Sequence, residues 1–564
     1  MTDLDKIRNA IDGRIYGPLQ GFYDVFFHSK AWYRGLEPLV TTGDPGFLHL
    51  SSSGGSTIDL DHLNTLLEGL TKDHCRQYHR PTTSRQVSET SFCLVERGGI
   101  PDWSGIMMIG DIDGDNNPRS YQQGLADLIS LAEHVFEAQP IRRFLHGIYI
   151  RGCVAEPWVF DRMGLYSGQP FDLSKDGPRL AILLVGYSLM TNEELGMDTF
   201  IHKDNGQNFI RLSNSDSERL FLETRPFVTP RQLIGKAVAC YKARSDDSEP
   251  WKAVVKFCWK SEKEEMEQKI LHLVKERKVW GVIQLLDEGN IESIASMHRG
   301  LTLGVPRKLT MDKTISDTGL IDSQTIVGHS EPLQDKRSNL DESRMLSYTI
   351  TSPYGRHIIE YTCIKEFLVA LRDAIKAHRS LYTAGHILHR DISINNIIIT
   401  EAMTPEESHG TLIDLDAALD MTAEKSSQKT ITGTKPFMAI GLLHGEENAY
   451  QHDLESFFYV LLFSATIDRK VGLPPNTPLQ RWVVGTWAEL AVQKAHDLAD
   501  PRFDEVLAGF QSDFRGQKGL ARALRDIIIG KMISSEDEEG RLFDQIMETF
   551  DQAIAEQYKE TAQI

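Results

Sequence analysis

Cysteine is scarce in this 564-residue chain. There are six, and none of Cys75, Cys93, Cys153, Cys240, Cys258 and Cys363 stands in a C-x-x-C pair. Disulfide frameworks and zinc modules are therefore disfavoured, and free thiols in a reducing compartment are expected. Long apolar runs are also lacking. No stretch suits a bilayer span, and Met1 to Lys30 holds no run of signal-peptide length. Basic charge is outnumbered, with 61 Lys and Arg against 80 Asp and Glu and a net charge of −19. That balance argues against a general nucleic-acid or membrane-surface binder. No internal repeat is evident. These absences lead us to expect a soluble protein of the cytoplasm or nucleus with no membrane or nucleic-acid partner. What is present is 41% hydrophobic and 9% aromatic content, ample for buried cores. The length points to two or three domains.

Residues 1–100 read as mixed helix and loop, broken by the Gly/Ser cluster at Ser51–Ser56. Residues 101–224 read as a small α/β domain. Apolar runs at Ser104–Gly110, Phe144–Ile150, Trp158–Phe160 and Leu180–Ser188 predict strands, and Leu125, Leu128, Ile129, Leu131 and Ala132 predict a helix near Tyr121–Glu137. A less apolar stretch from Asn192 to Glu223 leads to a second strand-rich segment, residues 225–352, beginning in earnest at Phe227. Within it, about 303–344 is polar and reads as a flexible insertion. Residues 353–564 are mainly helical. Leu368, Leu371, Ile375, His378 and Tyr382 recur at helical spacing and stop before Gly385.

Directly after that helix comes His389-Arg390-Asp391, with Asn396 five residues beyond the aspartate, where a kinase catalytic loop places its second metal ligand. The strand Thr411-Leu-Ile then ends in Asp414-Leu-Asp416, in the place of a D-F-G motif. Gly433-Thr434-Lys-Pro-Phe437 follows, like the end of an activation segment, and Asp453 opens the apolar helix Leu454–Phe463. Upstream, Trp251-Lys-Ala-Val-Val-Lys256 reads as a strand ending in lysine, and Glu267-Gln-Lys-Ile-Leu271 as an acid-then-apolar helix. Ile234–Ala243 reads as two strands joined by a turn after Gly235. These segments resemble the fungal-type protein kinase family, a fungus-restricted branch of the eukaryotic protein kinase superfamily. The N-terminal W-x-x-x-M-x-x-G-D and F-D-R-M-G segments share the likeness.

The resemblance implies an α+β, bilobal protein-kinase-like fold with a β-rich N-lobe and a helical C-lobe, preceded by a separate α/β domain. It implies ATP and Mg2+ as cofactors and protein substrates phosphorylated on serine or threonine, the latter choice favoured by Thr434. Lys256 would hold the α- and β-phosphates and Glu267 would pair with Lys256. Asp391 would orient the acceptor hydroxyl and take its proton. Asn396 and Asp414 would be the metal ligands, amides after Gly235 would cover the phosphates, and Cys240 would pack against adenine. His389 and Asp453 read as structural, with Asp453 bonding to catalytic-loop backbone. Arg390 would pair with a phosphorylated Thr430 or Thr432.

Several positions depart from the kinase pattern. Ala237 and Ala239 stand where further glycines are usual, Ser393 replaces a lysine, and Asp416 replaces the hinge glycine. Ala439-Ile-Gly441 replaces A-P-E. A pseudokinase scaffold and a small-molecule kinase of related fold are the alternatives. The strand, helix, strand order of the first half is similar to a restriction-endonuclease-like core, but Gly110-Asp111-Ile-Asp113 lacks the lysine of a nuclease, so that core would be inactive. Asp111, Asp113 and Asp115 also mimic a calcium loop, which fails at Asn116 and Gln122. A solvated acidic turn is expected there, and a scaffold or recognition role, with a protein partner, for this half.

Overall fold

A computed structural model describes residues 11–41, 58–70, 75–81, 90–113, 119–213, 215–230, 232–246, 248–261, 266–307, 343–402, 404–423, 431–529 and 536–561. Two compact units share the chain. The first takes Met1–Asp247, Val255–Lys263 and Glu288–Tyr348, and the second takes Ser248–Val254, Glu264–Asp287 and Thr349–Ile564. Mixed sheets and helices of this kind are compatible with a kinase-like fold.

In the first unit, β1 (Ile15–Tyr16), β2 (Arg76–His79), β3 (Phe92–Glu96), β4 (Met108–Asp113), β5 (Phe144–Arg151), β6 (Val154–Asp161), β7 (Leu165–Ser167) and β8 (Phe171–Asp172) form one sheet. Its order is β1-β7-β6-β5-β4-β3-β2, with β8 on β6. The β4–β5 pair is parallel, Ile109 opposite Gly147, because the helix Tyr121–Ala138 crosses between them. Alternation sorts the side chains. Cys93, Ile109, Leu145, Tyr149 and Trp158 pack with that helix, and Phe92, Leu94, Met108, Ile148 and Ile150 form a second core on the opposite face.

Three expectations need correction here, and the less apolar stretch, which had no element assigned, gains definite ones. The first hundred residues are not only helix and loop, since β2 and β3 join the sheet. The run Leu180–Ser188 is not a strand but part of the helix Leu173–Leu189, started by the Asp172 carboxylate accepting from Ser174 N. That run is buried nearly all round, so it shows no helical period and imitates a core strand. The stretch 192–223 carries β9 (His202–Asp204), β10 (Gln207–Leu212) and β11 (Ser215–Leu222). These pair as a meander whose polar sides conceal the strand pattern. Finally, Asp111 and Asp113 do not form a solvated turn. Both are buried, and Arg119 bridges Asp111 at 2.7 Å, Asp113 at 3.5 Å and Asp127 at 2.7 Å. Asp115 and Asn116 lie outside the described residues, as does the Ser51–Ser56 cluster.

A seven-stranded sheet adds β12 (Ala239–Arg244), β13 (Ala253–Ser261), β14 (Gln284–Ser293) and β15 (Arg344–Ser352) in the order β14-β15-β13-β12-β11-β10-β9. The expected strand beginning at Ile234 is absent. Instead Gly235 N donates to Arg162 O at 3.0 Å and Lys236 O accepts from Trp259 N at 2.7 Å, single bonds outside any ladder, and the fully buried Arg162 side chain donates to Gln232 O and Leu233 O, both at 3.0 Å. Asp161, the preceding residue, pairs with His298 at 2.7 Å, and Arg143 with Glu292 at 2.6 Å. The aspartate and arginine of F-D-R-M-G thus fasten two stretches of the same unit. Thr302 and Arg307 bridge to Gln20 and Ile15, so the polar segment starts as paired backbone. Residues 308–342 of that segment lie outside the described residues.

The second unit is built on the helices Ile364–Thr383 and Tyr450–Thr466. Phe367, Leu371, Ala374, Leu454, Phe458 and Leu461 belong to one continuous core. Two short ladders lie on it. Arg356–His357, Ile397–Ile399 and Gly410–Leu412 form one, and Ile387–Leu388 with Leu419–Asp420 forms the other. They are the supports for the site.

Candidate active site

Strand Ile387–Leu388 delivers His389, Arg390 and Asp391 at its end. Asp453, in the first turn of the Tyr450–Thr466 helix, accepts from His389 N (3.1 Å), from Arg390 N (3.1 Å) and from His378 Nε2 (2.9 Å). Burial by itself would raise this carboxyl. The hydrogen bond and charge of His378, with His389 and Arg390 N, bring it below the ordinary aspartate value instead. His389 is fully buried. Its Nε2 donates to Ile413 O at 3.1 Å and its Nδ1 accepts from Asp391 N at 3.3 Å, a pattern that fixes one neutral tautomer. Burial lowers its pKa, against the pull of Asp453 and Asp391. His389 is therefore a strut, and Asp453 bonds to the loop backbone.

Asp391 Oδ1 accepts from Thr434 N at 2.8 Å and from Thr434 Oγ1 at 2.7 Å. The Asn396 amide donates to Asp391 O at 2.8 Å and to Oδ2 at 3.2 Å. With its amide nitrogen so engaged, Asn396 has its carbonyl oxygen left to offer a cation. Ser393 is buried and caps the turn Ile394–Asn396 by accepting from Asn395 N. The residue in the place of a lysine is thus spent on backbone.

Strand Gly410–Leu412 leads to Asp414, which sits at φ 62°. Aspartate enters the left-handed region more readily than most residues, and such backbone concentrates at functional sites. Ligand oxygens of Asp414, Asp416 and Glu267, the last buried at the start of the helix Met266–Glu276, lie within 4.8 Å of one another. The donor set is hard oxygen throughout, which fits a magnesium-class cation. Asp391, Asn396 and Thr434 form one group of the second unit; Glu267, Asp414 and Asp416 form another. Asp416 as part of an acidic triad was not foreseen from sequence, nor was Thr434 as a partner of Asp391.

Three other expected residues lie in the first unit. Gly235 sits at φ 126°, and a Cβ built there meets nothing within 4 Å, so its backbone angle rather than crowding calls for glycine. Ala237 follows at φ 46°, a costly setting for a side chain. Cys240, half-buried on β12, exchanges backbone hydrogen bonds with Val228. Lys256 lies within β13, which continues to Ser261 rather than ending at the lysine. Arg390, at φ 65°, gives Nε to Ala417 O at 2.8 Å. Its Nη1 and the Thr432 hydroxyl have no hydrogen-bond partner among the described residues. Thr430 lies outside them.

The family model described as fungal protein kinase matches residues 94–465, about two thirds of the chain. The chain belongs to the fungal protein kinase family. The span matched to that family runs from β3 through the Asp391 group and the acidic triad into the Tyr450–Thr466 helix, and so includes much of the eight-stranded sheet. Curated proteins give no match to the chain. Among the described residues, no helix of this family member is long and apolar enough to cross a membrane.

Proposed function

We propose that the protein is an ATP- and Mg2+-dependent protein kinase that phosphorylates serine and threonine hydroxyls of protein substrates. The observation that carries this reading is the setting of Asp391. Thr434 holds one of its carboxylate oxygens and Asn396 the other, on a loop whose backbone Asp453 fixes. A carboxylate oriented in this way can align an acceptor hydroxyl and take its proton as the phosphate bond forms. The threonine contact supports the choice of serine and threonine acceptors. Asn396 and Asp414 would hold magnesium, with Asp416 and Glu267 close to Asp414. A bound magnesium supplies neutralisation of phosphate charge. Lys256, Gly235 and Cys240 take their roles toward phosphate and adenine from the family resemblance, as does the pairing of Lys256 with Glu267. The eight-stranded sheet region would serve as scaffold or protein-recognition surface without nuclease chemistry, since Arg119 already engages Asp111, Asp113 and Asp127.

The test is transfer of radiolabelled γ-phosphate from ATP with magnesium onto the protein itself and onto casein. Asp391→Asn should cut the rate by about 10²–10⁴-fold, and Lys256→Met should fall similarly. Equal background signals from wild type and Asp391→Asn would overturn the reading and leave a pseudokinase scaffold. That second reading is favoured by Ala237 in left-handed backbone and by Ser393 used as a cap. Turnover of choline or an aminoglycoside in place of protein would instead indicate a small-molecule kinase.

A further inference from the structure

Two ionisable side chains, one half-buried and one fully buried, lie outside the residues used above. Lys494, on the helix Trp487–Leu498, is fully buried and donates to Met438 O at 2.5 Å. Its ammonium lies 3.9 Å from the Tyr459 ring centre and 5.2 Å from that of Trp482. Glu455, on the helix Tyr450–Thr466, accepts from Ile440 N at 2.8 Å and from the Tyr459 hydroxyl. The two groups therefore grip the carbonyl and the amide on either side of Ala439, a residue with no exposure.

We propose that Glu455 and Lys494 are positioning residues that fix the segment Thr434–Ile440, against which the acceptor protein is laid beside Asp391. The acceptor role rests on the kinase reading above; the fixing of the segment does not. Ala439-Ile-Gly441 lacks the glutamate that closes A-P-E, and these two side chains from neighbouring helices supply the anchorage. Apolar residues of similar volume would pack as well and avoid desolvating two charges. They would leave Met438 O and Ile440 N buried without partners, which backbone groups rarely tolerate. The cost of burial is visible in both groups. Burial lowers the lysine, opposed by Glu455, and raises the glutamate, opposed by Tyr459, Ile440 N and Lys494. At its other end the segment carries Thr434, whose amide and hydroxyl hold Asp391 Oδ1. A slack anchor at Met438 would loosen that contact.

Hydrogen–deuterium exchange on the full chain tests the anchor without relying on activity. In Lys494→Met, the amides of Thr434–Leu443 should exchange about tenfold faster or more, while those of the Ile364–Thr383 helix keep their protection. Glu455→Gln, which keeps an acceptor for Ile440 N but loses the countercharge, should show a smaller rise in the same segment. It also decides the matter if Lys494→Met fails to fold. In transfer assays the KM for casein should rise about tenfold with the KM for ATP unchanged. Unaltered exchange in the segment in both variants, or parallel changes of the two KM values, would overturn the proposal. If wild type and Asp391→Asn transfer no phosphate, the kinase reading fails, and segment exchange still decides the anchor.

Discussion

At Asp453 one buried carboxylate serves three donors: two successive backbone amides and an imidazole from another helix. The amides belong to His389 and Arg390, so this acid sets the path by which the chain enters Asp391. A carboxylate suits the place because it offers several lone pairs on two oxygens, and an amide or hydroxyl would answer fewer donors. Asp453→Ala leaves those donors buried and unpaired. We expect a loss of about 2–4 kcal/mol from the stability of the chain, read as a lower urea midpoint of the full-length protein. An unchanged midpoint would mean that water reaches the vacated site and that the carboxylate is dispensable for the loop.

Among the described elements, the strand Gly410–Leu412 is tightly constrained by a neighbouring helix. It runs so close to the helix Ile364–Thr383 that a Cβ at Gly410 would fall 1.7 Å from Ala370 O. The obstacle is backbone, which cannot swing aside, so Gly410→Ala must push the strand off the helix. Overpacking of this kind costs about 1–3 kcal/mol. The strand leads directly to Asp414, so magnesium-dependent transfer should fall as well. Denaturant unfolding and phosphate transfer on Gly410→Ala check the two effects together. The helix beneath was legible from sequence, because Leu368, Leu371, Ile375 and His378 declare a buried stripe. The helix Leu173–Leu189 was not, since a run apolar on every side carries no period. The same limit applies to side chains. His389, Arg390, Asp391 and Asn396 are neighbours in sequence as well as space, so their spacing announces them. Glu455 and Lys494 reach their partners in the segment from 15 and 56 residues away in the chain, each on a different helix, and no spacing motif links them to it. Asp416 sat in plain view, yet its association with Glu267 required the packing of a helix against a loop that spacing does not encode.

For the molecule as a whole, acidic groups outnumber basic ones, and the environment moves individual carboxyls in opposite directions. Asp453 is brought below its ordinary value, so its contribution to stability is present above about pH 4 and is lost as the pH falls through its folded value. Asp198, in the first unit, is pushed up to about 6, mainly by burial, while Phe200 N, Ile201 N and Arg143 oppose the rise. Between about pH 4 and its folded value the native state binds more proton at Asp198 than the unfolded chain does. Its contribution is therefore fully present below about pH 4 and is lost as the pH rises through 6. Asp198→Asn, which cannot ionise, should remove that slope. Relative to wild type, the variant should gain on the order of 2 kcal/mol between about pH 4 and pH 7, measured by urea unfolding at matched ionic strength. The gain is a difference between two pH values, so any fixed loss from the poorer acceptor set of the amide cancels. A variant that tracks wild type in parallel across the range would show that Asp198 titrates as an ordinary exposed aspartate, and that the first unit bears no cost for holding its charge.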